Sequence, residues 1–279
     1  MLIRKNDVEA LSGDIRKIID GADIDVRDNR EGAWSVLKND IHTLANLRSE
    51  QAAALQRERD LMKDMLADVS HQLITPLTSM TLMADLLDEA PPDKRAEFAA
   101  NIRSSLARME WLVSSLLKMA KLDAGAVEFS RDSVRSEEVI ARGIEPVKLL
   151  LDLRGQTVEI LGEADVACDV RWTAEALTNV VKNASEHSPQ GSVLRIESGE
   201  NPLCTWISVT DAGEGMTTAE IARIFTRFEG SRSEQGYGIG LPLALAIMRG
   251  QTGDIDVDGG SGTGATITLK FYGREIPSR

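Results

Sequence analysis

Aromatic residues are scarce, at 4% of 279 positions, so the apolar content is mainly Leu, Ile, Val, Ala and Met and favours helices with aliphatic seams. Only two cysteines occur, Cys168 and Cys204, in apolar strand-like contexts without CxxC spacing. That excludes a disulfide framework and points to reduced, buried thiols in a cytoplasmic protein. The three histidines, His42, His71 and His187, lie apart from the cysteines, which excludes an ordinary zinc site. No apolar run approaches the roughly 20 residues that span a bilayer. Asn6-Asp7 follows Met1–Lys5 where a signal peptide would turn apolar, so no such signal is expected. Positive charge is also in deficit: the formal net charge is −12, which argues against nucleic acid as the main partner.

The length suits about two domains on a prior of roughly 150 residues each. Met1–Asp20 reads as a helix and Gly21–Gly32 as a polar loop. A second helical pattern starts at Ala33 and runs through mixed-charge residues into a stripe at Val69, Leu73, Leu77, Met80, Ala84 and Leu87. His42 has no chemical neighbours here and reads as structural. Asp88–Asp93 is a turn whose prolines end that helix, with Asp93 expected to cap the next. The next helix shows Phe98, Ile102, Leu106, Met109, Leu112/Val113, Leu116 and Ala120 on one face and ends at Gly125. Two long amphipathic helices joined by a tight turn cannot bury their stripes alone, so two copies pairing into a four-helix bundle are expected. Val127–Arg131 is a short strand or linker. From Ser136 the pattern is mixed. Helices are expected over Ser136–Arg154, Arg171–His187 and Leu241–Gly250. A capping box, Thr217–Glu220, opens a short helix to Phe225. Strands are expected over Thr157–Leu161, Val166–Asp169, Val193–Ser198, Cys204–Thr210, Asp254–Asp258 and Ala265–Tyr272, giving helices on one face of a largely antiparallel sheet.

Four stretches carry chemistry. His71, in Ser-His-Gln-Leu-Ile-Thr-Pro-Leu, lies two residues past a stripe position, so its imidazole faces solvent. Pro76 cannot bond the carbonyl of Gln72, which loosens the helix beside it. Asn179 and Asn183 share one helical face, and amide oxygens suit Mg²⁺ while amide N–H₂ groups suit phosphate. Asp211-Ala212-Gly213-Glu214-Gly215 follows a β-branched strand, where glycines let the backbone approach a flat ring and the carboxylate accepts from an amine. Gly236-Tyr237-Gly238-Ile239-Gly240-Leu241 opens a helix, where free N–H groups cradle phosphate. Its spacing is neither the Rossmann nor the P-loop pattern.

In this order the stretches resemble the sensor histidine kinases of two-component signalling. Asn179/Asn183 match the N box, Asp211–Gly215 the first glycine box, Ile224–Phe228 the F box and Gly236–Leu241 the second glycine box of the GHKL ATP-binding fold. The segment at His71 looks like the H box. The resemblance covers about residues 55–271. It implies a helical-hairpin dimerisation domain followed by an α+β sandwich ATP-binding domain of GHKL type. The parts would be an input or linker region over 1–54, a dimerisation and phosphotransfer domain over 55–125, a linker over 126–134 and the catalytic domain over 135–279. It also implies that His71 accepts the γ-phosphoryl group of ATP and passes it to an aspartate of a response regulator. Asn183 would hold Mg²⁺, Asn179 would assist at the phosphates, and Asp211 would bind the adenine amine with Gly213 and Gly215 shaping that wall. Arg227 and the lid of Gly236, Gly238, Gly240 and Leu241 would cover the phosphates. The partners implied are a second copy and a receiver domain, with any membrane anchor supplied by a sensor segment outside this chain.

The sequence departs from the family pattern in places. Gln72 stands where an acid usually follows the histidine; it can hydrogen-bond but cannot take a proton. Thr75 matches the hydroxyl used in dephosphorylating the regulator. Ile74 and Glu186 replace basic residues, Ala265 replaces a threonine, and His187 stands at an aromatic position, either lining the nucleotide site or simply ending its helix. Two alternatives stay open: a nucleotide-binding dimeric scaffold that signals by conformation, and a GHKL hydrolase or serine kinase.

Overall fold

Residues 33–87 contain no glycine and a single proline, so nothing in them stops a helix once it has begun. The computed structural model describes residues 5–19, 33–87, 90–228, 238–260, 262 and 264–272. Helix α1 covers Lys5–Ile19 and α2 runs unbroken over Ala33–Leu87. Pro76 leaves the Gln72 carbonyl without its helical donor, yet α2 continues through it. Thr75, Thr78 and Thr81 donate their hydroxyls to the carbonyls of His71, Ile74 and Leu77 at 3.1, 2.9 and 2.9 Å. Such back-bonding lets a hydroxyl residue sit in mid-helix. The chain divides into two compact units, Met1–Val69 and Ser70–Arg279. In the first, Leu11 of α1 and Ser35 of α2 are buried. The loop expected over Gly21–Gly32, and Gly236, lie outside the described residues.

Helix α3, Pro92–Asp123, begins on its proline, with Pro91 as N-cap. Asp93 is therefore inside the first turn and is not the cap: a proline at the first helical position is already set at the helical φ and has no N–H to satisfy. The other end closes as expected. Gly125 takes φ +61°. Its N–H bonds the Leu122 carbonyl at 3.0 Å and the Ala126 N–H bonds the Lys121 carbonyl at 2.9 Å, a Schellman closure that only a left-handed residue permits.

Helix α3 carries more apolar surface than a single stripe. Leu106, Val113 and Leu117 are exposed on one face. Leu112 and Met119 are buried within the main core, with Trp111, Leu116, Leu122 and Leu73 of α2 packed against it. The cover over this second face comes largely from the domain that follows.

That domain starts with β1, Asp132–Arg135, paired antiparallel to β3, Asp165–Cys168. A five-stranded sheet of order β2-β4-β5-β7-β6 contains β2 (Thr157–Leu161), β4 (Val193–Glu200), β5 (Cys204–Thr210), β6 (Gly253–Asp258) and β7 (Thr266–Tyr272). All its neighbours are antiparallel except β2 and β4. On β4, Leu194 and Ile196 point into the core while Arg195 pairs with Glu159 on the outer face at 3.0 Å. The core is closed by α4 (Ser136–Ile144), α6 (Val170–His187) and α8 (Gly240–Gly250). The long helix expected over Ser136–Arg154 is broken: a 3₁₀ turn, Glu145–Val147, separates α4 from α5, Lys148–Leu153. Pro146 has no N–H to donate to the Arg142 carbonyl, which interrupts the ladder although Glu145 keeps helical backbone at φ −51°, ψ −44°. Ser136 does not cap α4 either. Its hydroxyl is buried against Ser198 Oγ at 2.9 Å and accepts from the Ala164 N–H at 3.2 Å. Cys168 and Cys204 are free and buried; burial pushes the Cys168 thiol up, opposed by a hydrogen bond with Thr173.

The connection between α3 and β1 is slack only at its start. Phe129 lies edge-on to Trp172 with centroids 5.8 Å apart, and a Cβ on Gly250 would come within 2.6 Å of its ring. The Ser130 N–H bonds Asp169 Oδ2 at 3.2 Å and the Arg131 guanidinium bonds the Gln251 carbonyl at 2.7 Å. Phe129→Ala is expected to lower stability by about 1–2 kcal/mol, less than for a fully buried ring because Phe129 is half-buried. An unchanged denaturation midpoint would show that this anchor contributes nothing.

Candidate active site

Helix α6 sets out the site. Asp169 caps it, accepting from the Trp172 N–H at 3.1 Å, and its apolar positions Ala176, Leu177, Val180, Val181 and Ala184 lock one face into the core. Asn179 and Asn183 are then fixed four residues apart along one edge. Asn179 is buried, and its amide N–H₂ donates to the Glu175 carbonyl at 2.9 Å. Its oxygen lies 3.1 Å from where a Cβ on Gly240 would sit, so the N-terminus of α8 abuts the asparagine edge. Asn183 is half-buried and its side chain makes no hydrogen bond among the described residues. An amide oxygen so placed is a fitting hard ligand for Mg²⁺.

At the far end of α6, β5 delivers Asp211. The carboxylate is buried, and its Oδ1 accepts from the Gly213 N–H at 2.9 Å and from the Ala265 N–H at 3.0 Å. Oδ2 accepts no hydrogen bond among the described residues, which leaves it for an amine. Gly213 presses on α6: a Cβ there would meet the His187 carbonyl at 2.7 Å. Gly215 and Gly264 take φ +73° and +76°, and a Cβ on either would overlap a backbone carbonyl, of Gly260 and Asp211 respectively. These contacts bind the loop after β5, the end of α6 and the turn before β7 into one wall. Sequence reading missed two supports of that wall. Ser188 Oγ accepts from the Ala212 N–H at 3.1 Å, and the Ala265 backbone fixes Asp211 from both sides, its carbonyl accepting from the Asp211 N–H at 2.9 Å. A serine before Pro189 at a helix end was the available signal for Ser188; a backbone role leaves none for Ala265. His187 is the exposed last residue of α6 and presents its carbonyl to the wall.

The capping box opens α7, Thr218–Arg223, as expected: Thr217 Oγ1 accepts from the Glu220 N–H at 3.3 Å and Glu220 accepts from the Thr217 N–H at 2.8 Å. Beyond it Phe228 holds φ +63° and its N–H bonds the Gly238 carbonyl at 3.0 Å, joining the F-box turn to the base of the second glycine box. Gly238 is half-buried there, and Leu241 is buried behind Gly240.

His71 is exposed on α2, with Gln72 half-buried and Thr75 exposed one turn on. No hydrogen bond or ion pair joins His71 to the α6 cluster among the described residues. Arg227, expected over the phosphates, is instead held by Asp123 at the end of α3, with its guanidinium 2.8 Å from each carboxylate oxygen.

Comparison with known proteins resolves what these parts are. Residues 61–125 match the His Kinase A (phospho-acceptor) domain, and 168–274 match the family of histidine kinase-, DNA gyrase B- and HSP90-like ATPases. The chain joins a histidine-kinase phospho-acceptor domain to a histidine-kinase-type ATPase domain. Among its relatives, the sensor protein DivL of Caulobacter vibrioides is 26% identical over 218 residues, covering 75% of this chain and 28% of DivL. The sensor histidine kinase MtrB of Mycolicibacterium paratuberculosis is 29% identical over 195 residues, covering 67% of this chain and 34% of MtrB. The chain thus spans about a third of the length of the curated relatives it matches. Among solved structures, the histidine kinase ThkA in complex with the response regulator TrrA superposes with a TM-score of 0.64 at 18% identity, covering 81% of this chain and 66% of that one. The fold is therefore that of the family: a helical hairpin followed by a GHKL ATPase domain. Among the described residues no helix is long and apolar enough to cross a membrane.

Proposed function

We propose that this chain transfers the γ-phosphoryl group of ATP to His71 and from there to an aspartate on a response-regulator receiver domain. The observation that carries the reading is the state of Asp211: buried, with Oδ1 held by two backbone N–H groups and Oδ2 left for an amine, in a chain whose upstream helix exposes His71. Asp211 accepts from the adenine amino group, and Gly213 and Gly215 let the backbone lie flat along the ring. Asn179 and the α8 N-terminus, through Gly238, Gly240 and Leu241, face the phosphates, joined by Gly236 and by Arg227 once it leaves Asp123. Asn183 holds Mg²⁺, which when bound neutralises charge spreading over the transferred group. Positioning and charge are most of what phosphoryl transfer demands. The imidazole of His71 supplies the attacking lone pair as the bond to the ADP oxygen breaks. Gln72 orients that ring by hydrogen bonding without taking its proton, and Thr75 positions water for the phosphatase reaction on the regulator.

A second copy completes the phosphotransfer domain. The exposed Ile74 and Leu77 of α2 and Leu106, Val113 and Leu117 of α3 are the surface it covers. The chain works in the cytoplasm, where ATP and receiver domains are, and any link to the membrane would come from a sensor segment outside it.

Incubation with γ-labelled ATP and Mg²⁺ tests the reading. The expected product carries phosphate that is lost in acid and kept in alkali. Protein that binds ATP yet takes up no such label would overturn the kinase assignment.

A further inference from the structure

Helix α3 holds the catalytic domain through three charged contacts on one side. Lys182 of α6 lies 4.7 Å above the ring of Trp111. Lys118 pairs with Glu175 at 2.7 Å. Asp123 pairs with Arg227 at 2.8 Å. The first two contacts define a register: Trp111 and Lys118 are seven apart on α3, and Lys182 and Glu175 are seven apart on α6 in the opposite sense. The two helices therefore run antiparallel where these long side chains bridge them, while α3 packs mainly against α8. Lys182 adjoins Asn183 in sequence, and Arg227 belongs to the turn that leads into the second glycine box. Two cations carried by the motifs of the candidate site are thus both engaged by α3.

Asp123 is an odd residue for its place. It ends α3, where the helix dipole disfavours a negative charge. Its pairing with Arg227 compensates. A guanidinium donates to carboxylate and phosphate oxygens with the same N–H groups; here Nη2 donates to both oxygens of Asp123, so a phosphate that draws on Nη2 competes with the carboxylate for it.

We propose that Asp123 is a resident competitor of the nucleotide's phosphates for Arg227. While α3 holds the catalytic domain, the carboxylate occupies the guanidinium; when ATP arrives, its phosphates displace Asp123, and the domain is freed from the end of α3 in the same exchange. Nucleotide binding and release are then linked, and by reciprocity each weakens the other's competitor by the same factor. The linkage runs through phosphate alone: a nucleoside that fills only the adenine wall at Asp211 does not disturb the pair. This inference rests on the reading of Arg227 as a phosphate ligand in the proposed function.

The test is equilibrium binding of Mg·ATP and of adenosine to the full chain, for the wild type, Asp123→Asn and Arg227→Gln. Both side chains are substantially exposed, at 49% and 34%, and melting curves verify that each variant is folded. Asp123→Asn is expected to tighten Mg·ATP about two- to fivefold, the scale of an exposed ion pair, and to leave adenosine unchanged. Arg227→Gln is expected to weaken Mg·ATP. If Arg227→Gln weakens Mg·ATP but Asp123→Asn changes nothing, the competition is wrong and the phosphate role of Arg227 stands. If Asp123→Asn tightens adenosine as much as Mg·ATP, Asp123 acts by general undocking and the competition is again wrong. If Arg227→Gln leaves Mg·ATP binding unchanged, the phosphate role itself falls and takes the competition with it.

Discussion

His71→Ala is expected to abolish acid-labile labelling from γ-labelled ATP while leaving ATP affinity unchanged. The imidazole is exposed on α2, and no side-chain hydrogen bond to it is lost with the ring. The one local hydrogen bond, from Thr75 Oγ1, goes to the His71 backbone carbonyl and survives truncation. Alanine is also the better helix former, by a few tenths of a kcal/mol, so the helix keeps its stability. Only the attacking nitrogen disappears, and no neighbour replaces it: Gln72 and Thr75 are far weaker nucleophiles when no base activates them. Label should fall to background, a loss of at least about a thousandfold. Label persisting in the variant would move the acceptor elsewhere in the chain.

Gly215→Ala should remove nucleotide binding from the other side of the reaction. At φ +73° an L side chain is strained by about 1–2 kcal/mol. The larger obstacle is contact, because the new Cβ would overlap the carbonyl oxygen of Gly260 and lie 3.0 Å from that of Gly264. Both belong to the turn whose neighbour Ala265 fixes Asp211. Moving that turn moves the carboxylate proposed to read adenine, and a displacement of even about 1 Å costs on the order of a hundredfold in a positioned site. Gly191→Ala is the matched control: its φ is +74° but nothing lies within 4 Å of the added atom. It should lose a similar amount of stability through strain and keep its ATP affinity. Equal ATP affinity for Gly215→Ala and Gly191→Ala would show that Gly215 is needed only for its backbone angle.

The elements whose signals are local were readable from the sequence. The capping box at Thr217 and Glu220, the Gly125 closure and the strand Cys204–Thr210 stand where expected. Errors arose where two local signals compete. The apolar pattern after Ser136 continues past Pro146, but the missing donor decides the outcome. Asp93 is a good cap, yet Pro92 beside it is a better first residue. β1 carries one half-buried residue, Val134, among exposed ones, and a strand that short has no periodicity to detect. Its existence depends on β3, about thirty residues on. The site followed the same division. Asn179, Asn183, Asp211 and the glycines could be nominated because each motif is contiguous. Arg227 could be nominated from its motif too, but its partner Asp123 lies 104 positions away and left no signal. The second apolar face of α3 was hidden for a similar reason: Trp111, Ser115, Met119 and Leu122 look like scatter around one stripe until the catalytic domain covers them.

The anchoring of Phe129, Ser130 and Arg131 limits how far that domain can travel. Between the closure of α3, which ties Gly125 and Ala126, and the ring of Phe129 only 127 and 128 remain to extend, a reach of about 10 Å from Ala126 to Phe129 at full stretch. On the proposed function, a tether this short would keep a bound nucleotide at a high effective concentration, in the millimolar range, near the helices that carry the acceptor histidines. It also confines the domain to targets at one level of the bundle. The choice of which copy's histidine is served would then depend on the direction in which the chain leaves Gly125.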